Sequence, residues 1–171
     1  MNSTPFPRSQ RGVAAVEFAL VAMIFFTLLF GVLELARMLF VLNSVQEVTR
    51  RAAREATVRW VSAGDQATVR QLALFGNSAL PWGADVTSGA IAIDYLQANG
   101  SVVASGALPV SPADNLSACG DALRVASCIA SVRVSVTGVS YTPMLSLFGF
   151  LNLPLPPSQV TMHAESMGFD T

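Results

Sequence analysis

The chain has 171 residues with a mean hydropathy of +0.52; 52% of them are hydrophobic and only 12% are charged. A charged share of about half the roughly 25% usual for soluble domains excludes a disordered polyelectrolyte and places part of the chain outside water. The net charge of −1, with all ten basic residues arginine, gives a nucleic-acid partner no electrostatic support.

Residues 1–12 are polar and carry Arg8 and Arg11. From Val13 to Leu33 the only ionisable side chain is Glu17. At about 1.5 Å per residue this run makes a helix of roughly 31 Å, enough to cross a hydrocarbon core. A secretory signal would have a shorter apolar region and a small-residue cleavage site after it, so removal of the segment is not expected. Proline is absent from Arg8 to Leu80, which permits a long continuous helix. Apolar or small residues recur at positions 35, 38, 39, 42, 45, 52, 56 and 60, largely at helical spacing. Glu47, Arg51, Glu55 and Arg59 form successive i,i+4 pairs on the other side. These patterns predict one helix from about Ala14 to Trp60, ended by Gly64 and Asp65. Glu34 and Arg37 can pair at i,i+3 where it leaves the hydrocarbon, most simply as a neutralised boundary pair with no further role.

A short second helix is expected over residues 66–76, with Val69, Leu72, Ala73 and Phe75 on one side and Gly76 and Asn77 as its stop. The period then changes to that of strands, at Ala90–Leu96, Ser101–Ala104, Ala130–Tyr141 and Val160–Ala164, the last with Thr161 and His163 outward. Gly100, Gly106, Pro109, Pro112 and the Pro154–Pro157 run mark turns. The expected fold is α+β: a long N-terminal transmembrane helix continuing into an amphipathic helix, then a small domain with a short helix and an antiparallel sheet. The expected division is 1–12, 13–62 and 63–171. The apolar stretch from Tyr141 through Leu155 reads either as a loop covering the core or as an exposed surface for a partner or the membrane.

Cys119 and Cys128 are the only cysteines. In an oxidising compartment a disulfide between them closes a loop of about ten residues and stabilises by roughly 2.5 to 3 kcal/mol; free thiols are the alternative. A zinc site needs about four ligands, and His163 is the single histidine. There is no Cys-x-x-Cys, no Gly-x-Ser-x-Gly, no lysine for Ser-x-x-Lys and no phosphate-binding glycine loop. No catalytic residue, metal, cofactor or small-molecule substrate is expected.

The junction Arg11-Gly-Val-Ala-Ala-Val-Glu-Phe18 resembles the processing site of type IV prepilins, where a basic leader ends in glycine and a glutamate stands fifth in the mature chain. More of the chain is similar to the TadE-like minor pilins and pseudopilins of tight-adherence (Tad/Flp) pilus systems. The similarity lies in Glu34-Leu-Ala-Arg37 at the membrane exit and the Val48–Ala56 helix, and more weakly in Leu74–Asn77 and Val132–Pro143. The resemblance implies a pilin-like fold and cleavage between Gly12 and Val13 by a prepilin peptidase. It also implies an assembly role for Glu17 beside Phe18, in which the carboxylate attracts the α-amino group of Val13 on its own or a neighbouring subunit. Such a pairing offsets the cost of a carboxylate in apolar surroundings; without it, Glu17 would simply reach the headgroup layer. Ala15, Ala19 and Ala22 offer a small-residue face for helix packing.

The partners implied are the lipid bilayer, the peptidase, other pilins or pseudopilins and the inner-membrane pilus platform. The expected location is the bacterial inner membrane, single pass, with the C-terminal domain periplasmic. Charge counting alone favours the opposite orientation, because residues 43–62 carry four Arg against two Glu; the leader and the cysteines favour the exported domain. The alternative is an uncleaved single-pass protein presenting a periplasmic partner-binding domain. An envelope hydrolase has no residue constellation behind it.

Overall fold

The computed structural model describes residues 11–81, 83–164 and 167–169, without the side chains of Arg11, Ala84 and Asp85. Of the expected leader, residues 1–10 with Arg8 therefore lie outside the described residues. In chain order the elements are α1 (Arg11–Val58), α2 (Ala63–Ala73), β1 (Ala79–Leu80), β2 (Gly83–Thr87), β3 (Ile91–Leu96), α3 (Pro112–Gly120), β4 (Ser131–Val136), β5 (Ser140–Tyr141), β6 (Leu153–Pro154) and β7 (Ser158–His163). The α+β class and the order of long helix, short helix and antiparallel strands are as the sequence implies.

Helix α1 has 48 residues, so it is about 72 Å long. Apart from Glu34 and the contact of Gly31 with Phe148, its first half stands clear of the rest of the chain, and from Val41 onward one face enters the core through Val41, Val45, Val48, Ala52, Ala53 and Ala56. Three of these are alanines, which let α2 and the sheet approach the helix closely. The apolar stripe differs from expectation in phase. Positions 45, 52 and 56 are buried and 38 and 60 pack against the core, but Leu35 and Leu39 are exposed and Val41 and Val48 take their place. The charged side is also rearranged: Arg59 pairs with Glu55 (3.3 Å), whereas Arg51 lies over the Phe75 ring, 4.6 Å from its centroid.

The end of α1 corrects the expectation of a stop at Gly64 and Asp65. The helix ends at Val58, and both residues fall in the first turn of α2. There the Ser62 hydroxyl accepts a bond from the Asp65 N–H (3.0 Å), a cap that starts a new helix. The orphan carbonyls at the end of α1 are met from the far end of the chain. Met167 N–H donates to Thr57 (3.1 Å) and Gly168 N–H to Val58 (2.6 Å). Gly168 has φ +88°, and a Cβ there would stand 3.0 Å from Trp60 Cβ, so the tail requires glycine at that point.

Helix α2 begins and ends three residues earlier than expected. Its C-terminal turn bonds Phe75 N–H to Leu72 (3.1 Å) and Gly76 N–H to Gln71 (2.9 Å), with Phe75 at φ 59°. This is a Schellman closure with phenylalanine where glycine is usual. Phe75 is consequently exposed rather than packed on the helix's inner side.

The central sheet is antiparallel in the order β3-β4-β7. Val132, Val134 and Val136 of β4 are buried toward α1. On the outer face Arg133 pairs across the strands with Asp94 (3.2 Å), its register partner. The long strand expected over Ala130–Tyr141 is broken at Gly138, φ +70°. Beyond the break, β5 pairs with β6 in a separate ladder. Ser101–Ala104 is reduced to a single bridge between Val102 and Leu96.

Strands β1, β2 and β6 and helix α3 were not anticipated. The β1–β2 hairpin is too short for a period-2 signal. Pro112, read as a turn, instead opens α3, with the Ser111 hydroxyl accepting from Asp114 N–H (3.1 Å). This lobe is held by the Asp114–Arg124 ion pair, by Asn115 Oδ1 accepting from Ile129 N–H (2.8 Å), and by the Cys119–Cys128 disulfide, with Cα atoms 4.7 Å apart. Replacing both cysteines by serine is expected to lower stability by about 2.5 to 3 kcal/mol, read as a shift of the denaturation midpoint of the full chain in detergent. An unchanged midpoint would show that the bond does not constrain the unfolded chain.

Candidate functional site

The expected site residues and the apolar stretch after Tyr141 fall into four separate places. Gly12 and Val13 lie in the first turn of α1, and Glu17 and Phe18 one turn further; all four are exposed. No described residue bonds the Glu17 carboxylate, and no residue of the 18-residue apolar window of the helix is buried by the chain itself. Among the described residues α1 is the one helix long and apolar enough to cross a membrane. Ala15, Ala19 and Ala22 lie on this uncovered length.

Glu34 stands 17 residues beyond Glu17, or about 26 Å along the axis. Here the helix meets the domain. Although flanked by exposed leucines, Glu34 is only 5% exposed. Its carboxylate accepts from the Tyr141 hydroxyl, from the Met144 N–H (3.1 Å) and from Arg37 Nη1 (3.2 Å). Arg37 Nη1 also reaches the Tyr141 oxygen (3.0 Å) and the Thr142 carbonyl (2.9 Å), and its guanidinium carbon lies 5.0 Å from the Tyr141 ring centroid. Burial and the neighbouring carboxylate together hold the Tyr141 phenol above its ordinary pKa, so it remains a donor.

This corrects the reading of Glu34 and Arg37 as a boundary pair with no further role. The pair forms, but it is the helix side of a five-residue junction with Tyr141, Thr142 and Met144, more than a hundred residues away in sequence. Tyr141 was the missed side chain. A buried tyrosine oxygen needs a partner, but between Ser140 and Thr142 its hydroxyl is not set apart in the sequence, and only the fold shows that it is buried. Gly138 makes the junction possible by ending β4, so that β5 turns toward the helix.

The stretch after Tyr141 forms the third place. A 3₁₀ turn, Ser146–Leu151, folds against α1, and Phe148 sits beside Gly31, 3.5 Å from where a Cβ would be. An apolar groove of about 550 Å³ opens on one side of this contact, bordered by Phe30, Leu33, Glu34, Arg37, Met144 and Leu145. The disulfide lies apart in the α3 lobe, and His163 is exposed on β7. No cluster of three or more metal-ligating side chains occurs among the described residues.

An uncovered apolar helix, joined through a buried charged node to a small α+β domain, is the build of a single-pass membrane-anchored protein. Residues 12–54 match the sequence model of the family described as TadE-like protein. Over those residues the chain is similar to that family. No curated protein and no solved structure matches it.

The junction makes a direct prediction. Tyr141→Phe keeps the ring but removes the donor from a buried carboxylate, a loss of about 1.5 to 3 kcal/mol. The denaturation midpoint in detergent should fall accordingly. A midpoint equal to wild type would show that Arg37 and the Met144 N–H alone satisfy Glu34.

Proposed function

We propose that the protein is a minor pilin or pseudopilin that takes part in assembling a Tad-type pilus, after a prepilin peptidase cuts between Gly12 and Val13. The observation that carries this reading is the pairing of the TadE-like match, which starts at Gly12, with an apolar run, Val13 to Leu33, whose one charge, Glu17, stands fifth after the cut. Cleavage releases an α-amino group at Val13, one helical turn from Glu17. In a bundle of such helices the carboxylate meets that amine on its own or an adjacent chain. Two groups that are costly in hydrocarbon are then neutralised together. Phe18 and the small face at Ala15, Ala19 and Ala22 supply the packing around them. The role is structural, and no residue is assigned to catalysis.

The proposed topology places the N-terminus in the cytoplasm and the domain in the periplasm. The Cys119–Cys128 bond supports it, because disulfides persist in oxidising compartments. The basic residues that argue the other way, Arg50, Arg51 and Arg54, are exposed on a helix whose opposite face is the core of a folded domain. Long domains translocate largely regardless of such charges. In this setting the partners are the bilayer, the peptidase, other pilins or pseudopilins and the inner-membrane platform.

N-terminal sequencing of the protein from cells with and without the peptidase tests the processing. The expected chain begins at Val13 only where the peptidase is present, and Gly12→Lys blocks the cut. Met1 persisting in both strains would instead support an uncleaved single-pass protein with a partner-binding domain. Separately, Glu17→Ala is expected to leave cleavage largely intact and to impair pilus assembly at normal protein abundance. Normal piliation in that strain would remove the proposed amine pairing.

A further inference from the structure

We propose that the Ser146–Leu151 turn is a second membrane contact, inserting Leu147 and Phe150 among the acyl chains of the leaflet on the domain's side, next to the helix. The inference rests on the reading of α1 as a membrane anchor and does not depend on a pilus role.

Position comes first. Phe148 packs beside Gly31, and the turn's Phe150 and Leu151 line one groove with Thr27 and Leu28. Those helix residues lie three to seven positions before Glu34, or about 5 to 10 Å deeper along the axis. The turn therefore flanks the last two turns of the apolar run that ends at Leu33. If that run is in lipid, the turn beside it cannot be wholly in water.

Chemistry agrees. From Val134 to Ala164 the sequence has no Asp, Glu, Lys or Arg. Phe148 is buried against the helix, while Leu147 and Phe150 are 63% and 74% exposed. Their exposure continues the bare surface of α1 at the same level. The backbone also suits an interfacial depth. Phe148 N–H bonds to Leu145 (3.0 Å) and Asn152 N–H to Gly149 (3.2 Å), and Pro143, Pro154, Pro156 and Pro157 have no N–H to satisfy. Ser146 and Asn152, both exposed, supply a polar rim. The buried Glu34–Arg37–Tyr141 junction lies immediately above, with its charges already paired. Apolar side chains below and polar groups above are the pattern of an interfacial element.

The test uses the full chain, dilute in phosphatidylethanolamine–phosphatidylglycerol vesicles. Single cysteines are introduced by Leu147→Cys, Phe150→Cys, Phe25→Cys and Leu123→Cys and spin-labelled without reductant, so that the native disulfide stays closed. Phe25 reports the anchor, and Leu123, 94% exposed in the α3 lobe, reports the aqueous domain. Labels at 147 and 150 are expected to collide with oxygen and to be shielded from a water-soluble nickel chelate, as at 25 and opposite to 123. Nickel access at 147 and 150 equal to that at 123, with 25 shielded, would overturn the proposal and leave the anchor standing. Nickel access at 25 as well would overturn the anchor and the proposal with it. Shielding at 147 and 150 that disappears on further dilution in lipid would assign the surface to a neighbouring copy of the chain and overturn the lipid contact.

Discussion

A carboxylate with little access to water must find donors, and in this molecule that requirement fixes how the domain sits on its helix. Glu34 is held by Tyr141, Arg37 and the Met144 N–H. Two of those donors arrive from the segment that connects β4 to β7 of the central sheet. The sheet, the break at Gly138 and the β5–β6 ladder together deliver Tyr141 to one point on α1. The cost of leaving a buried charge unpaired exceeds that of most single packing defects. The junction therefore selects one register of domain against helix, where apolar packing alone would tolerate several.

The same helix works in two solvents. Its first half presents large apolar side chains on every side, and its second half concentrates small and β-branched residues on one face. Nothing in the backbone marks the change. What marks it is side-chain size: Phe25, Phe26 and Phe30 face outward in the first half, whereas Ala52, Ala53 and Ala56 admit close neighbours in the second. The charged node at Glu34 sits between these regimes.

Much of this was legible in the sequence because it rests on long or strongly patterned signals. The proline-free run, the largely apolar stretch Val13–Leu33 and the Val132-Val134-Val136 alternation each repeat enough times to be read without knowledge of the fold. The failures were of two physical kinds. Where a cap decides a boundary, as with Ser62 starting α2 and Ser111 with Pro112 starting α3, a single residue outweighs composition, and glycine or proline nearby misleads. Where the decisive contact is long range, as with Tyr141 on Glu34 or Met167 and Gly168 on the end of α1, no local window contains both partners. The pairing of Glu34 with Arg37 was visible for the opposite reason, since both lie within one turn.

The two long-range closures have a mechanical consequence. Between Glu34 and Val58 the helix is clasped at its lower end by Tyr141 and at its upper end by the Met167–Gly168 tail, with the sheet lying along the length between. Tension along the axis would thus be divided between the helix and the strands beside it, loading the interface in shear. The domain would act as a splint on that stretch, leaving the free compliance of α1 to the part below the Phe148–Gly31 contact.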